Sequence, residues 1–92
     1  MSHGRYSDHK HSFHEANRLA EVLCAIARHQ ARSTKLPCGG DISRAVGFDA
    51  NTTLVHLVRK KLVESHGTVR NSWFNLTAAG ELAVVWHCRR AA

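Results

Sequence analysis

From Ser12 onward, apolar residues return at steps of three and four: Phe13, Ala16, Leu19, Ala20, Leu23, Ile26 and Ala27, with Glu15, Arg18, Glu21 and Arg28 off that stripe. The period predicts an amphipathic helix of about five turns, with Ser12 as a candidate N-cap. It should end near Arg32 or Ser33, because Pro37 and the pair Gly39-Gly40 prevent its continuation. Asp41 is a candidate cap for a second helix, whose apolar side is Ile42, Ala45 and Val46 and whose stop is Gly47, with Phe48 folding back. Asp49 then predicts a third helix from Ala50 to about Lys61, with Leu54, Leu57, Val58 and the stem of Lys61 facing inward. Two short alternating runs, 62–66 and 72–76, predict a hairpin around Gly67-Thr68-Val69-Arg70-Asn71. Thr77 offers an N-cap to a last helix, on which Leu82, Val85 and Trp86 are expected to pack against the first.

By contrast, residues 1–11, MSHGRYSDHKH, have neither helical nor strand periodicity and read as a flexible His-rich tail ahead of a domain at 12–92. The predicted class is mainly α with a small β-hairpin. Helix, helix, helix, hairpin, helix is the order of a winged helix-turn-helix: a three-helix core, a wing and a C-terminal helix.

The residues of its second half also carry a resemblance. The run Leu54-Val55-His56-Leu57-Val58-Arg59-Lys60-Lys61-Leu62-Val63-Glu64 resembles the recognition-helix exit and first wing strand of MarR-like and PadR-like regulators. Phe74-Asn75-Leu76-Thr77-Ala78-Ala79-Gly80-Glu81-Leu82 is similar to their hydrophobic-x-Leu-Thr-x-x-Gly-x-x-Leu segment after the wing, with Leu82 one position short of the last Leu. Lys61 stands where those families usually have Gly, and the chain is without the long extra helices that form their dimer interface and ligand cleft. The resemblance therefore implies the DNA-binding module and not a small-molecule sensor.

Composition adds to this picture. The 92 residues hold 13 Lys and Arg against 7 Asp and Glu, a net charge of +6 with His neutral. A basic balance suits a polyanionic partner, though it also occurs on proteins that bind none. Ninety-two residues leave little mass for an enclosed catalytic pocket, and none of the Ser, His and Asp residues has a spacing with a mechanical reason, so no enzyme is expected. No apolar run approaches the roughly 20 residues of a membrane span, and a cytoplasmic protein is expected. Cys24, Cys38 and Cys88 are odd in number and widely spaced, which argues against a disulfide framework.

Several side chains carry the DNA-binding expectation. On the third helix, Asn51, Thr52, Thr53, Val55, His56, Arg59 and Lys60 lie on or beside the face turned from the core, centred on Thr52, His56 and Arg59. Arg59 can donate two hydrogen bonds to guanine, His56 one, Thr52 and Thr53 can bond base edges or phosphates, and Val55 can meet a thymine methyl. Ser43 and Arg44 on the preceding helix suit phosphates. In the hairpin tip, Arg70 and Asn71 stand where a wing reaches the minor groove or a phosphate. A solvated helix face and an ordinary surface loop are the plain alternatives.

The remaining chemistry is weaker. His3, His9, His11 and His14, with Cys38 or His87-Cys88, are of metal-ligating type, but their spacing fits no closed zinc site, so no metal or other cofactor is expected. Cys24 reads as a buried small residue, and Cys38, in its loop, as the better candidate for a reactive thiol. Trp73 and Trp86 read as core or subunit interface rather than base-stacking residues. Leu19, Leu23 and Ile26 with Val84, Val85 and Trp86 exceed what one small core needs, which predicts a homodimer through the terminal helices. The partner expected is double-stranded DNA, and the function that of a small transcriptional regulator. The rival is a winged-helix adaptor or phage-type inhibitor that binds protein.

Overall fold

A computed structural model describes the backbone of residues 3–68 and 71–91, and the side chains of 17–68 and 71–87. In order, the elements are α1 (His3–Arg32), α2 (Gly39–Val46), α3 (Asn51–Arg59), β1 (Val63–Gly67), β2 (Ser72–Leu76) and α4 (Ala78–Ala91). Four helices and one antiparallel hairpin thus occur in the predicted order. The helical backbone begins at His3, upstream of the expected start at Ser12. Once the amphipathic segment has nucleated a helix, each added residue gains a hydrogen bond without needing an apolar face, so periodicity does not mark the beginning.

The core is built on α1. Val22, Leu23 and Ile26 are almost wholly buried among Ile42 of α2, Leu54 and Leu57 of α3, Val63 of β1 and Phe74 and Leu76 of β2. Each such aliphatic side chain contributes about 1.5–3 kcal/mol by leaving water. Val22 and Ala25 lie off the predicted stripe and are buried too, because α1 is covered by α2, α3, β2 and α4 rather than along one seam. Gln30 of α1 adds a polar tie: its Oε1 accepts the Leu76 N–H at 3.1 Å.

The hairpin pairs Val63 with Leu76 and Gly67 with Ser72. On the other edge of β2, Cys38 forms a one-residue antiparallel bridge to Trp73, and the Phe74 N–H donates to the Pro37 carbonyl at 3.0 Å. The loop before α2 is therefore a third, minimal strand, and β2 has partners on both sides.

Helix α3 ends earlier than Lys61. Its last carbonyls are closed by Leu62 N–H to Leu57 O and Lys61 N–H to Val58 O, each 3.0 Å, a Schellman arrangement that needs a left-handed residue at position 61. Lys61 takes that conformation, with φ 61, and its side chain is exposed rather than turned to the core. A left-handed non-glycine costs about 1–2 kcal/mol, part of which glycine returns through its freer unfolded chain. Lys61→Gly is expected to stabilise the protein by about 0.5–1 kcal/mol, read as a higher urea midpoint at unchanged slope.

The start of α4 carries the strongest local constraint. Thr77 Oγ1 accepts the Gly80 N–H at 3.0 Å, the predicted cap, and donates to the Lys61 carbonyl at 2.7 Å. The Thr77 N–H donates to Leu62 O at 3.0 Å. Gly80 lies so close to this strand entrance that a Cβ on it would stand 2.0 Å from Leu62 O. This contact turns α4 so that Gly80, Ala83 and Val84 face the core. Leu82, Val85 and Trp86, expected to pack on α1, are exposed instead, Leu82 at 72% and Trp86 at 61%. Among the described residues, no helix is long and apolar enough to cross a membrane.

Candidate nucleic-acid interface

The α2–α3 turn sets the presented helix. Gly47, with φ 81, closes α2 by donating its N–H to Ser43 O at 2.9 Å. The Ser43 hydroxyl then accepts the Ala50 N–H at 3.0 Å, and Asp49 Oδ1 accepts the Asn51 N–H at 3.0 Å. Ala50, fully buried, is the N-cap position, and Asp49 sits one residue before it. Phe48 is half-buried in the turn, with the Arg18 guanidinium 5.1 Å from its ring centre, a cation–π contact from α1.

Asp41 is not the cap of α2; Cys38 is, and Asp41 is its third residue. The carboxylate reaches back to accept the Cys38 N–H at 3.2 Å, and its other oxygen accepts from Arg44 at 2.6 Å. Glycines at the first two helical positions let the helix begin before the acidic residue, which is why it lies one turn inside. The hydrogen bond from the Cys38 backbone and then the one from its side chain hold the Asp41 carboxyl below its ordinary 3.8, against an opposing effect of burial and with a lesser contribution from Arg44. A lowered pKa means that its stabilisation is complete above that ordinary value and is lost as pH falls through the lower one. Asp41→Ala should therefore destabilise the chain at neutral pH, with the gap to the parent closing below about pH 4 in acid titration by circular dichroism.

On α3, the exposed side chains are Asn51, Thr52, Val55, Arg59 and Lys60. His56 is half-buried, and Thr53, expected on the outer face, is 8% exposed. The presented face is therefore turned from the expected Thr52–His56–Arg59 line toward the wing. The whole helix holds no Asp or Glu, and Arg59 is succeeded by Lys60 and Lys61 at the helix end, where cations meet a favourable dipole.

Facing α3 across a groove of about 950 Å³ is the hairpin. Val55, Val58 and Arg59 line one wall, and Ser65, Asn71 and Trp73 the other. Asn71 is exposed at the tip, and Thr68 closes the turn by accepting the Asn71 N–H at 3.2 Å and donating its own to Asn71 O at 3.1 Å. Arg70, the other expected wing residue, lies outside the described residues, as do the side chains of His3, His9, His11, His14 and Cys88. Ser43 and Arg44 are both engaged, the first with Ala50 and the second with Asp41, though Arg44 keeps 77% of its side chain in solvent. Among the described residues, no group of three or more His, Cys, Asp and Glu is arranged to hold a metal ion.

Three features of the wing escape sequence reasoning. Gly67 takes φ 95, and Trp73 lies across it so closely that a Cβ would stand 2.7 Å from the indole ring. Trp73 itself stays 44% exposed, so it is neither core nor free surface. Asn75 donates to Glu64 Oε1 at 3.1 Å and hydrogen-bonds the His66 ring, which ties the strands across the outer face. Of these, the Glu64–Asn75 pair becomes predictable once the strand register is set.

Comparison with solved structures places this arrangement. A point mutant of MepR from S. aureus superposes with a TM-score of 0.63 at 22% identity, over 89% of this chain and 69% of that one. The S. aureus MepR–DNA complex superposes at 0.58 and 20% identity, over 97% and 82%. MepR described as a transcription regulator of the Staphylococcus aureus multidrug efflux pump MepA gives 0.56 at 20% identity, over 92% and 70%. The fold is a winged helix-turn-helix. In its terms α2 and α3 are the helix-turn-helix, α3 occupies the recognition-helix position, and β1 and β2 are the wing. No family model matches the sequence, and no curated protein does.

Proposed function

We propose that this protein binds duplex DNA sequence-specifically and regulates transcription in the cytoplasm, with α3 in the major groove. The observation that carries this reading is the outer face of α3: a largely polar, acid-free surface with Arg59 and the following Lys60 exposed, on a helix whose inner side is packed in the core. A helix of this diameter fits the major groove, where Arg59 donates to guanine and Asn51 and Thr52 bond base edges or phosphates. Arg44 and Lys60 bind phosphates, and Asn71 with Arg70 reaches the flanking minor groove. Thr53, being buried, and Ser43, bonded to Ala50, support the position of α3 rather than the contact itself. The DNA complex of MepR, a protein of the same fold, supports a DNA-binding reading.

A dimer belongs to the same proposal. Leu23 and Ile26 are spent in the protein's own core, which leaves Leu82, Val85 and Trp86 of α4 as the apolar surface for a second copy. Sedimentation equilibrium tests it: a concentration-dependent dimer that Trp86→Ala shifts to monomer is the expected result. The DNA reading is tested by changing Thr52 and Arg59 together to Ala. Both are exposed, so the circular-dichroism spectrum should be unchanged while duplex binding is lost; full retention of binding would turn the function toward protein partners.

A further inference from the structure

Val55 is an anomaly on the presented face. It is a β-branched apolar residue, 51% exposed, in the middle of α3, one turn from Asn51 and one turn from Arg59. The core below is closed by Leu54 and Leu57, both almost fully buried, so half of Val55 is left to solvent. Its neighbours along the helix strip, Asn51 and Arg59, are polar, while Val58 and Trp73 line the same groove. The wall opposite carries Ser65, Asn71 and Trp73.

In the major groove the exposed apolar group of a base pair is the 5-methyl of thymine. We infer that Val55 is a specificity-determining residue that selects a thymine by its methyl group, within about two base pairs of the guanine held by Arg59. This rests on the DNA-binding reading above and extends it to the content of the site. Charge complementarity supports a duplex rather than a protein segment: Arg59 shares the exposed face with Val55, Lys60 follows at the helix end, and α3 has no carboxylate. The spacing comes from geometry. Four residues advance about 6 Å along a helix, just under two base-pair steps of about 3.4 Å.

The experiment uses the whole chain and duplexes enriched from a random pool. Each thymine of the enriched duplex is replaced in turn by deoxyuridine, which removes only the methyl, and binding is measured for the parent and for Val55→Ala. Burying one methyl is worth about a four-fold change in affinity. The expected result is a loss of that size at one position, next to or one removed from an essential guanine, and the absence of that loss in Val55→Ala. Equal affinity at every position, or a thymine preference that survives Val55→Ala, overturns the inference while the selective binding itself still stands. A pool from which no duplex is enriched overturns the DNA reading and this inference with it, leaving Val55 and Trp73 as a contact for protein.

Discussion

Gly80→Ala is expected to lower the free energy of unfolding by about 2–3 kcal/mol, read as a fall in the urea midpoint. The sign is decided by two opposed effects. In an uncrowded helix the change would stabilise, because glycine costs about 1 kcal/mol relative to alanine. Here the added Cβ would stand 2.0 Å from Leu62 O and 3.0 Å from Leu62 C, both backbone atoms at the exit of α3. Neither can turn aside, so α4 must lift, loosening the Thr77 bonds to Lys61 and Leu62 and uncovering Val84. Gly40→Ala is the control: its Cβ would meet only Cys38 Sγ, at 3.8 Å, and the helix-propensity gain should appear there undiminished. If Gly80→Ala proves as stable as the parent, α4 does not dock on Leu62 and the outward face assigned to Leu82, Val85 and Trp86 is wrong.

Arg59→Ala should weaken binding to the preferred duplex by about 1–3 kcal/mol, roughly five- to 150-fold, with little effect on stability because the side chain is exposed at the end of α3. The loss should be concentrated on duplexes carrying the preferred guanine and much smaller on random DNA. Lys60→Ala supplies the contrast. A phosphate contact lowers affinity for all sequences alike and reduces the log–log salt slope by about 0.9. An Arg59→Ala loss equal on every sequence would move Arg59 into that class and leave base reading to the rest of α3.

The fold is largely legible in the sequence because each boundary has a chemical mark: Pro37 and the glycines after the first helix, Gly47 at the turn, Thr77 before the last. The families' Leu-Thr-x-x-Gly segment has a physical meaning in this chain, with Leu76 in the core, Thr77 tying α4 to Lys61, and Gly80 admitting the Leu62 carbonyl. The illegible parts trace to the same contacts. Four hydrophobic positions of α4, Leu82, Val84, Val85 and Trp86, are large enough to be core, and only the close approach at Gly80 decides that Val84 faces in while Leu82 and Trp86 face out. Thr53 and His56 sit on the borders of the α3 face, where a turn of about half a residue separates buried from exposed. Lys61 hides its left-handed backbone because lysine is a good helix former, and the pattern carries the helix through it. Trp73 lies where a turn that depends on Gly67 brings it, a relation between residues 67 and 73 that alternation alone does not express.

The most direct test of a sequence-reading α3 is fluorescence-anisotropy binding to a random duplex pool and to the duplexes enriched from it, at low and near-physiological salt. The account predicts selective binding that persists at the higher salt, with the preferred duplex bound at least about 1,000-fold more tightly than the pool, on the order of specific protein–DNA complexes. Binding that is equal for both and disappears as salt rises would contradict it.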